Sequence, residues 1–247
     1  MRSFFPSGEG VLVIGSFTRG VGRDACLSRP DGIAGNFGIR MLEQVKMDIF
    51  LSKERVDTQD CDVLVTGFFR DERPLKGSTG RIDWRFNGML SQFLVDGKLT
   101  GDWMETTLIP SQERILPRMI LLIGLGEVKE YDHLRLRKLL PDLSDTLHKL
   151  GPGSVCLSFP YGEGYHVDCR KTVESLILGI GDSLQGQSSS VQKWTRTLRL
   201  CFAEGEEYFQ EIQLGVQAAK SMLGERIQIK ISTPSEDPYP QNTRLRP

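Results

Sequence analysis

Three residues that can do chemistry lie close together in this 247-residue sequence: His166, Asp168 and Cys169. A thiol beside an imidazole and near a helix N-terminus can act as a nucleophile, because the helix dipole stabilises its thiolate. The alternative is structural, with Asp168 as the cap of a helix and Cys169 as a small buried apolar residue. The structural interpretation is favoured.

Other signatures of catalysis or metal binding are absent from the sequence. It contains neither an HExxH nor a Gly-x-Ser-x-Gly motif, and its three histidines, His133, His148 and His166, show no paired zinc-ligand spacing. Cys156, His166 and Cys169 would supply only three metal ligands. We therefore predict no catalytic residue, no metal ligand and no cofactor.

Two glycine-bearing turns are more informative, one at 77–80 and one at 160–165. Each precedes a predicted helix, where free backbone amides can bind an anion. In open α/β sheets ligands bind at the carboxyl ends of strands, and both turns lie there if their strands are neighbours. Such turns also occur in proteins that bind nothing, and Glu163 would repel a phosphate. The predicted ligand-binding residues are Gly77, Ser78, Thr79, Gly80, Gly162 and Gly164.

Hydrophobic periodicity predicts the elements that position these turns. Strands are expected at 46–51, 62–69, 104–109, 119–124, 154–159 and 193–203, with an edge strand at 227–231. Helices are expected at 80–95, capped by Ser78 or Thr79, and at 131–150, 168–184 and 206–223. The order ββαββαβαβα predicts a single α/β domain over 45–231, in which a mixed, mostly parallel sheet lies between helices.

Composition limits the partners and the compartment. The chain is 39% hydrophobic and 26% charged, has a net charge of −1, and lacks an apolar run long enough to span a bilayer. Membrane is therefore excluded as a partner, and nucleic acid is disfavoured, because the balanced charge leaves no basic surface. Five widely spaced cysteines without a CxxC motif favour a reducing, cytoplasmic setting. The cationic side chains expected to be simply solvated are Arg114, Arg118, Arg135, Arg137 and Lys138.

The two ends of the chain lack regular patterning. Residues 1–44 are rich in glycine without a helical or strand period, which predicts a flexible N-terminal extension. Met41 and Met47 lie where patterning begins, so the start site itself is open to misassignment. Residues 232–247 are rich in proline and predict a disordered tail.

Four stretches of the core together resemble a known family. They are Asp-Val-Leu-Val-Thr-Gly-Phe-Phe at 62–69, the segment 90–101, Glu-Thr-Thr-Leu-Ile-Pro at 105–110, and 118–127 with its Gly-Leu-Gly turn. From Val45 to about Leu223 the sequence resembles the N-terminal, non-catalytic domain of the leucyl aminopeptidase family, whose fold belongs with the macro domains. The resemblance implies a three-layer, macro-domain-like fold.

The resemblance also implies a role. In the family, lysine, aspartate and glutamate side chains of a separate C-terminal domain hold two metals. This sequence has no Asn-Thr-Asp-Ala-Glu-Gly-Arg string, so we expect no peptidase activity. Because the N-terminal domain takes part in oligomer assembly, the resemblance implies protein contact, assembly or regulation, with a second copy or a related aminopeptidase subunit as the partner.

The likeness to macro domains leaves an alternative function open. Residues 154–164 resemble the strand and glycine-rich loop that hold the diphosphate of ADP-ribose, and residues 77–83 fall near the other phosphate loop. The chain departs from nucleotide-binding members at Phe68 and Phe69, which replace an asparagine-bearing turn and are expected to fill the space of the ribose. Hydrolysis of ADP-ribosyl groups would require His166 as the base and is disfavoured.

Overall fold

The computed structural model describes residues 12–14, 45–184, 189–224 and 227–233. Within them, eight strands form one sheet in the order β1-β4-β5-β3-β6-β7-β2-β8. The strands are β1 (Leu12–Ile14), β2 (Val45–Leu51), β3 (Val63–Phe68), β4 (Thr106–Pro110), β5 (Met119–Gly124), β6 (Ser154–Ser158), β7 (Arg199–Phe202) and β8 (Ile227–Ser232). β4 is antiparallel to β1 and β5, and every other pairing is parallel. The prediction of a mixed, mostly parallel sheet is confirmed.

Helices cover both faces of this sheet. They are α1 (Gly77–Arg85), α2 (Met89–Val95), α3 (His133–Leu150), α4 (Cys169–Leu184), α5 (Ser189–Thr195) and α6 (Phe209–Leu223). Val65 and Leu121 pack with α3, α4 and α6 on one face, whereas Leu64 and Ile120 pack with α1 and α2 on the other. The central strands are mostly apolar because both of their faces are buried. The predicted three-layer α/β fold is confirmed.

The prediction of one helix over 80–95 is wrong. Asn87 and Gly88 have φ values of 55° and 80°, which end α1 and separate it from α2. The Asp83 carboxylate accepts hydrogen bonds from the backbone N–H of Leu90 (2.8 Å) and Ser91 (3.1 Å), so it caps the first turn of α2. The predicted cap of α1 is also wrong, because α1 begins after Lys76 and has no side-chain cap.

The prediction of a strand over 193–203 is wrong in its first half, where α5 extends to Thr195 and β7 begins only at Arg199. Tertiary contacts hold Trp194 in α5: its indole N–H donates to the Pro152 carbonyl (3.2 Å), and its ring lies 5.4 Å from that of His148. The local sequence pattern does not show either contact, because Pro152 and His148 lie more than 40 residues before Trp194. The predicted edge strand is confirmed as β8, parallel to β2.

The predicted terminal segments lie mostly outside the described residues. Of the extension over 1–44, only residues 12–14 are described, as β1. Of the tail, residues 234–247 are outside the described part of the chain, so both expectations stay predictions. None of the described helices combines the length and the apolarity needed to cross a membrane.

Candidate ligand-binding cleft

The carboxyl ends of β3, β6 and β7 lie side by side, and a polar residue stands at each of them. Thr66 lies two residues before the end of β3, Ser158 ends β6, and Glu204 follows β7. A cavity of about 170 Å³ opens at this edge of the sheet, and we call it the cleft. The start of α1 and the loop after β6 form its walls. The two glycine-bearing turns therefore lie at neighbouring strand ends, as expected.

The first turn joins α1 to the sheet through hydroxyl groups. The Thr79 hydroxyl donates to the Gly67 carbonyl (2.7 Å), and Ser78 accepts from the Ser158 hydroxyl (2.7 Å). Gly77, Ser78 and Thr79 all line the cleft. Gly80 does not line the cleft. Its N–H donates to the Lys76 carbonyl (2.9 Å), and a Cβ at this position would lie 2.4 Å from the Leu75 carbonyl oxygen. Gly80 is needed for close packing of the backbone.

The second turn presents aromatic side chains, and its glycines lie elsewhere. Gly162 and Gly164 have φ values of 97° and 92°, are exposed, and do not line the cleft. Tyr161 and Tyr165, which flank them, do line it. Gly162 accepts a hydrogen bond from the Tyr165 N–H (3.0 Å), so the glycines shape the turn that aims these rings.

Glu204 is the most unusual residue of the cleft because it is a carboxyl group with only 6% of its surface exposed. Burial raises the pKa of Glu204 to about 7, although the Ser158 hydroxyl and the Arg81 guanidinium act in the opposite direction. The Tyr161 hydroxyl donates to its Oε2 at 3.3 Å. Near neutral pH its protonated and ionised forms are therefore both populated.

Arg81 supplies positive charge beside this carboxyl group. Its Nη2 donates to the Ser78 hydroxyl at 3.0 Å. Its Nε is buried and has no hydrogen-bond partner among the described residues. A guanidinium with a free N–H suits an oxyanion ligand, because it can form a charge-assisted hydrogen bond.

The predicted ligand-binding residues did not include Arg81, Tyr161 or Glu204, all of which line the cleft. A usable signal existed for Glu204, since it lies between the predicted strand ending at 203 and the predicted helix starting at 206. That position is the carboxyl end of a strand, where the rule for open sheets places ligands.

The activated-thiol hypothesis is wrong, and its structural alternative is confirmed. Cys169 is 1% exposed, and burial raises the pKa of its thiol. Asp168 accepts a hydrogen bond from the Lys171 N–H (2.6 Å), as a helix cap does. His166 is exposed and does not line the cleft. Among the described residues, no group of three or more His, Cys, Asp or Glu side chains could hold a metal.

Two further expectations about side chains need correction. Phe68 and Phe69 do not line the cleft; Phe69 is fully buried, stacked on the Tyr165 ring at 5.4 Å. Of the cations expected to be solvated, Arg135 and Arg137 are half-buried: Arg135 lies over the Trp103 ring at 4.4 Å, and Arg137 pairs with Asp182.

Comparison with known families gives the matched part of the chain an identity. Residues 64–184 match the model of the cytosol aminopeptidase family, N-terminal domain. This segment is a cytosol aminopeptidase N-terminal domain. It contributes Thr66, Ser78, Arg81 and Tyr161 to the cleft, whereas Glu204 comes from outside the matched residues.

Curated relatives of this aminopeptidase N-terminal domain are much longer than the chain. A probable cytosol aminopeptidase of Cyanothece sp. is 23% identical over 134 residues, which cover 54% of this chain and 27% of the relative. That of Alkaliphilus metalliredigens is 18% identical over 175 residues, which cover 68% and 35%. The chain thus spans about a third or less of these relatives.

Solved structures similar to the chain include aminopeptidases and macro domains. A mutant of tomato leucine aminopeptidase has a TM-score of 0.48 and 17% identity, covering 74% of this chain and 38% of that one. A Trypanosoma brucei macrodomain in complex with ADP has a TM-score of 0.48 and 12% identity, covering 69% of both chains. Since these scores lie below 0.5, the assignment of the aminopeptidase N-terminal domain rests on the family model.

Proposed function

We propose that this chain is a small-ligand module that binds a nucleotide phosphate, such as the diphosphate of ADP-ribose, in the cleft. The observation that carries the proposal is the convergence of two glycine-bearing turns on one polar cavity at adjacent strand ends. The cleft offers the guanidinium of Arg81, the ammonium of Lys76 and the hydroxyl of Ser78 to an oxyanion.

The size of the cleft supports a ligand that is only partly enclosed. Pockets that enclose a drug-sized molecule have volumes of about 300–1,000 Å³, whereas the cleft measures about 170 Å³. We expect a phosphate group inside the cleft. The sugar or base would lie against Tyr161 and Tyr208, two half-buried aromatic rings that line the cleft.

Isothermal titration with ADP-ribose at pH 6 tests this function. The variant Arg81→Gln removes the guanidinium from the cleft, and we expect it to weaken binding by about 10-fold or more. Lys138→Gln is the matched control, because it removes an exposed cation from α3, away from the cleft. The absence of heat at millimolar ligand would contradict the proposal.

A second candidate function is non-enzymatic protein contact in the cytosol, with another copy or a related aminopeptidase subunit as the partner. Its support is the match to a domain that makes up only part of longer relatives, together with two exposed apolar side chains. Trp84 at the end of α1 is 74% exposed, and Val95 at the end of α2 is 81% exposed.

Light scattering after size-exclusion chromatography tests self-association. We expect the mass of a dimer for the natural chain and of a monomer for the double variant Trp84→Ser, Val95→Ser. Met222→Ser removes an apolar side chain that is 61% exposed on α6 and should leave the dimer intact. A monomer at every concentration, with no association with a related aminopeptidase, argues against this role.

A further inference from the structure

A carboxyl group at the proposed phosphate site poses an electrostatic problem. Glu204 is 6% exposed and lines the same cavity as Arg81 and Ser78. If Glu204 were ionised, a phosphate in the cleft would face a second negative charge at short range, in a place with little water to screen it.

The groups that face Glu204 do not remove this problem. Arg81 from α1 is the cation that acts on it, the hydroxyls of Ser78 and Ser158 lie beside it, and Tyr161 donates to it from the loop after β6. Two thiols also lie near it, Cys156 from β6 and Cys169 from α4, and the charge of Glu204 helps to raise the pKa of both. Lys76, the other cation that lines the cleft, already pairs with Glu72 at 3.1 Å. Arg81 would therefore have to neutralise most of the charge of both the Glu204 carboxylate and the phosphate.

Protonation of the carboxyl group solves the problem. A neutral Glu204 keeps one acceptor oxygen for the Tyr161 hydroxyl and gains an O–H that can donate to a phosphate oxygen. Arg81 is then left to the ligand. Burial makes the proton available, since the pKa of Glu204 is about 7 in the absence of ligand.

We propose that the cleft binds its anionic ligand together with one proton, which is held by Glu204 and donated as a hydrogen bond to the ligand. This inference rests on the proposed function, since it assumes that the ligand is an oxyanion. It adds that binding depends on pH, because the cleft accepts an anionic ligand when Glu204 is protonated and repels it when Glu204 is ionised.

Titration calorimetry with ADP-ribose between pH 5.5 and 9 tests the coupling, because the diphosphate of this probe does not titrate in that range. Buffers with different ionisation enthalpies give the number of protons taken up. We expect uptake of about 0.9 proton at pH 8 and almost none at pH 5.5. The dissociation constant should rise about tenfold per pH unit above pH 7.

Two variants separate Glu204 from the rest of the cleft. Glu204→Gln keeps the shape and one donor but cannot titrate, so we expect no proton uptake and a dissociation constant independent of pH. Glu207→Gln is the matched control, since Glu207 is an exposed carboxylate that also lines the cleft. It should retain the pH dependence of the natural chain.

The outcomes of the titration distinguish failure of this inference from failure of the proposed function. If ADP-ribose does not bind even at pH 6, the proposed function and the inference both fail. If it binds without proton uptake, or with equal uptake in Glu204→Gln, only the inference fails. Release of a proton would also overturn it and would indicate an ionised Glu204 paired with a cationic group. The proton count of the natural chain decides the question even if the variant does not fold.

Discussion

Glu204 lowers the stability of the folded chain whenever it is ionised, because its pKa rises from the ordinary value of 4.5 to about 7 on folding. A raised pKa means that the folded state holds the proton more tightly than the unfolded state. The contribution of Glu204 to stability is therefore complete below pH 4.5 and is lost as the pH rises through 7. Relative to the natural chain, Glu204→Gln should gain about 3 kcal/mol in free energy of unfolding between pH 4 and pH 9. Urea denaturation at several pH values measures this difference, and a difference that does not vary with pH would contradict it.

Thr79 is a second residue at which a single polar atom contributes to the stability of the fold. Its hydroxyl donates to the Gly67 carbonyl (2.7 Å) and lies 2.9 Å from the Thr66 hydroxyl, and all of these atoms are buried. Thr79→Val has nearly the same shape but leaves the carbonyl without this donor, which should cost about 1–3 kcal/mol in free energy of unfolding. Thr79→Ser keeps the hydroxyl and should cost less. Equal losses for the two variants would mean that the methyl group, and not the hydroxyl, stabilises this contact.

Helices and strands were predictable where local pattern and burial agree. The apolar runs of β3 and β5 predict strands because these strands are buried on both faces. The break at Asn87 and Gly88 was missed because the apolar stripe continues across it from Phe86 to Leu90, both of which are buried. The start of α5 was missed because its contacts with Pro152 and His148 are distant in sequence.

The candidate site was predictable only in part, for a related reason. The turn at Gly77 to Thr79 contains small and hydroxyl residues that mark it in any sequence. Arg81 and Glu204 resemble ordinary surface charges until the fold places them in one cavity, 123 positions apart in the chain. Their pairing depends on β7 lying beside β6, a neighbour relation that local patterns do not specify.

The packing of α4 against α6 gives a prediction at the scale of whole elements. A Cβ at Gly215 of α6 would lie 2.6 Å from the Arg170 carbonyl oxygen of α4. Alanine favours helices by about 1 kcal/mol over glycine, but overpacking costs about 1–3 kcal/mol, and here the obstacle is backbone. We expect Gly215→Ala to destabilise the fold by about 1–2 kcal/mol in chemical denaturation.

Gly181 of α4 is the matched control for this packing. A Cβ there would meet the ends of the Leu223 and Ile227 side chains at 2.9 and 3.1 Å, and these can move aside. Gly181→Ala should therefore cost less than Gly215→Ala. The reverse order would show that the helices separate easily and that the close approach at Gly215 is not required.

At the scale of the whole molecule, the reactivity of the buried cysteines shows whether the helical layers and the sheet unfold in one step. Cys61, Cys156 and Cys201 lie between the sheet and the layer of α1 and α2, and all three are at most 3% exposed. Hydrogen bonds between neighbouring thiols and burial raise the pKa of Cys61 and Cys156, so these thiols are protonated as well as inaccessible. Thiolate-directed reagents should therefore reach them only through unfolding.

Alkylation with iodoacetamide, followed by peptide mass analysis, tests whether that unfolding is global. We expect Cys61, Cys156 and Cys201 to be labelled at one common rate. Ile82→Ala removes a fully buried side chain of α1 and should accelerate all three by the same factor, because loss of the packing lowers the free energy of the single transition. Cys169, buried on the opposite face, should follow the same rate. If the first three react faster than Cys169, the layer of α1 and α2 opens by itself, and the wall of the cleft that carries Ser78 and Arg81 opens with it.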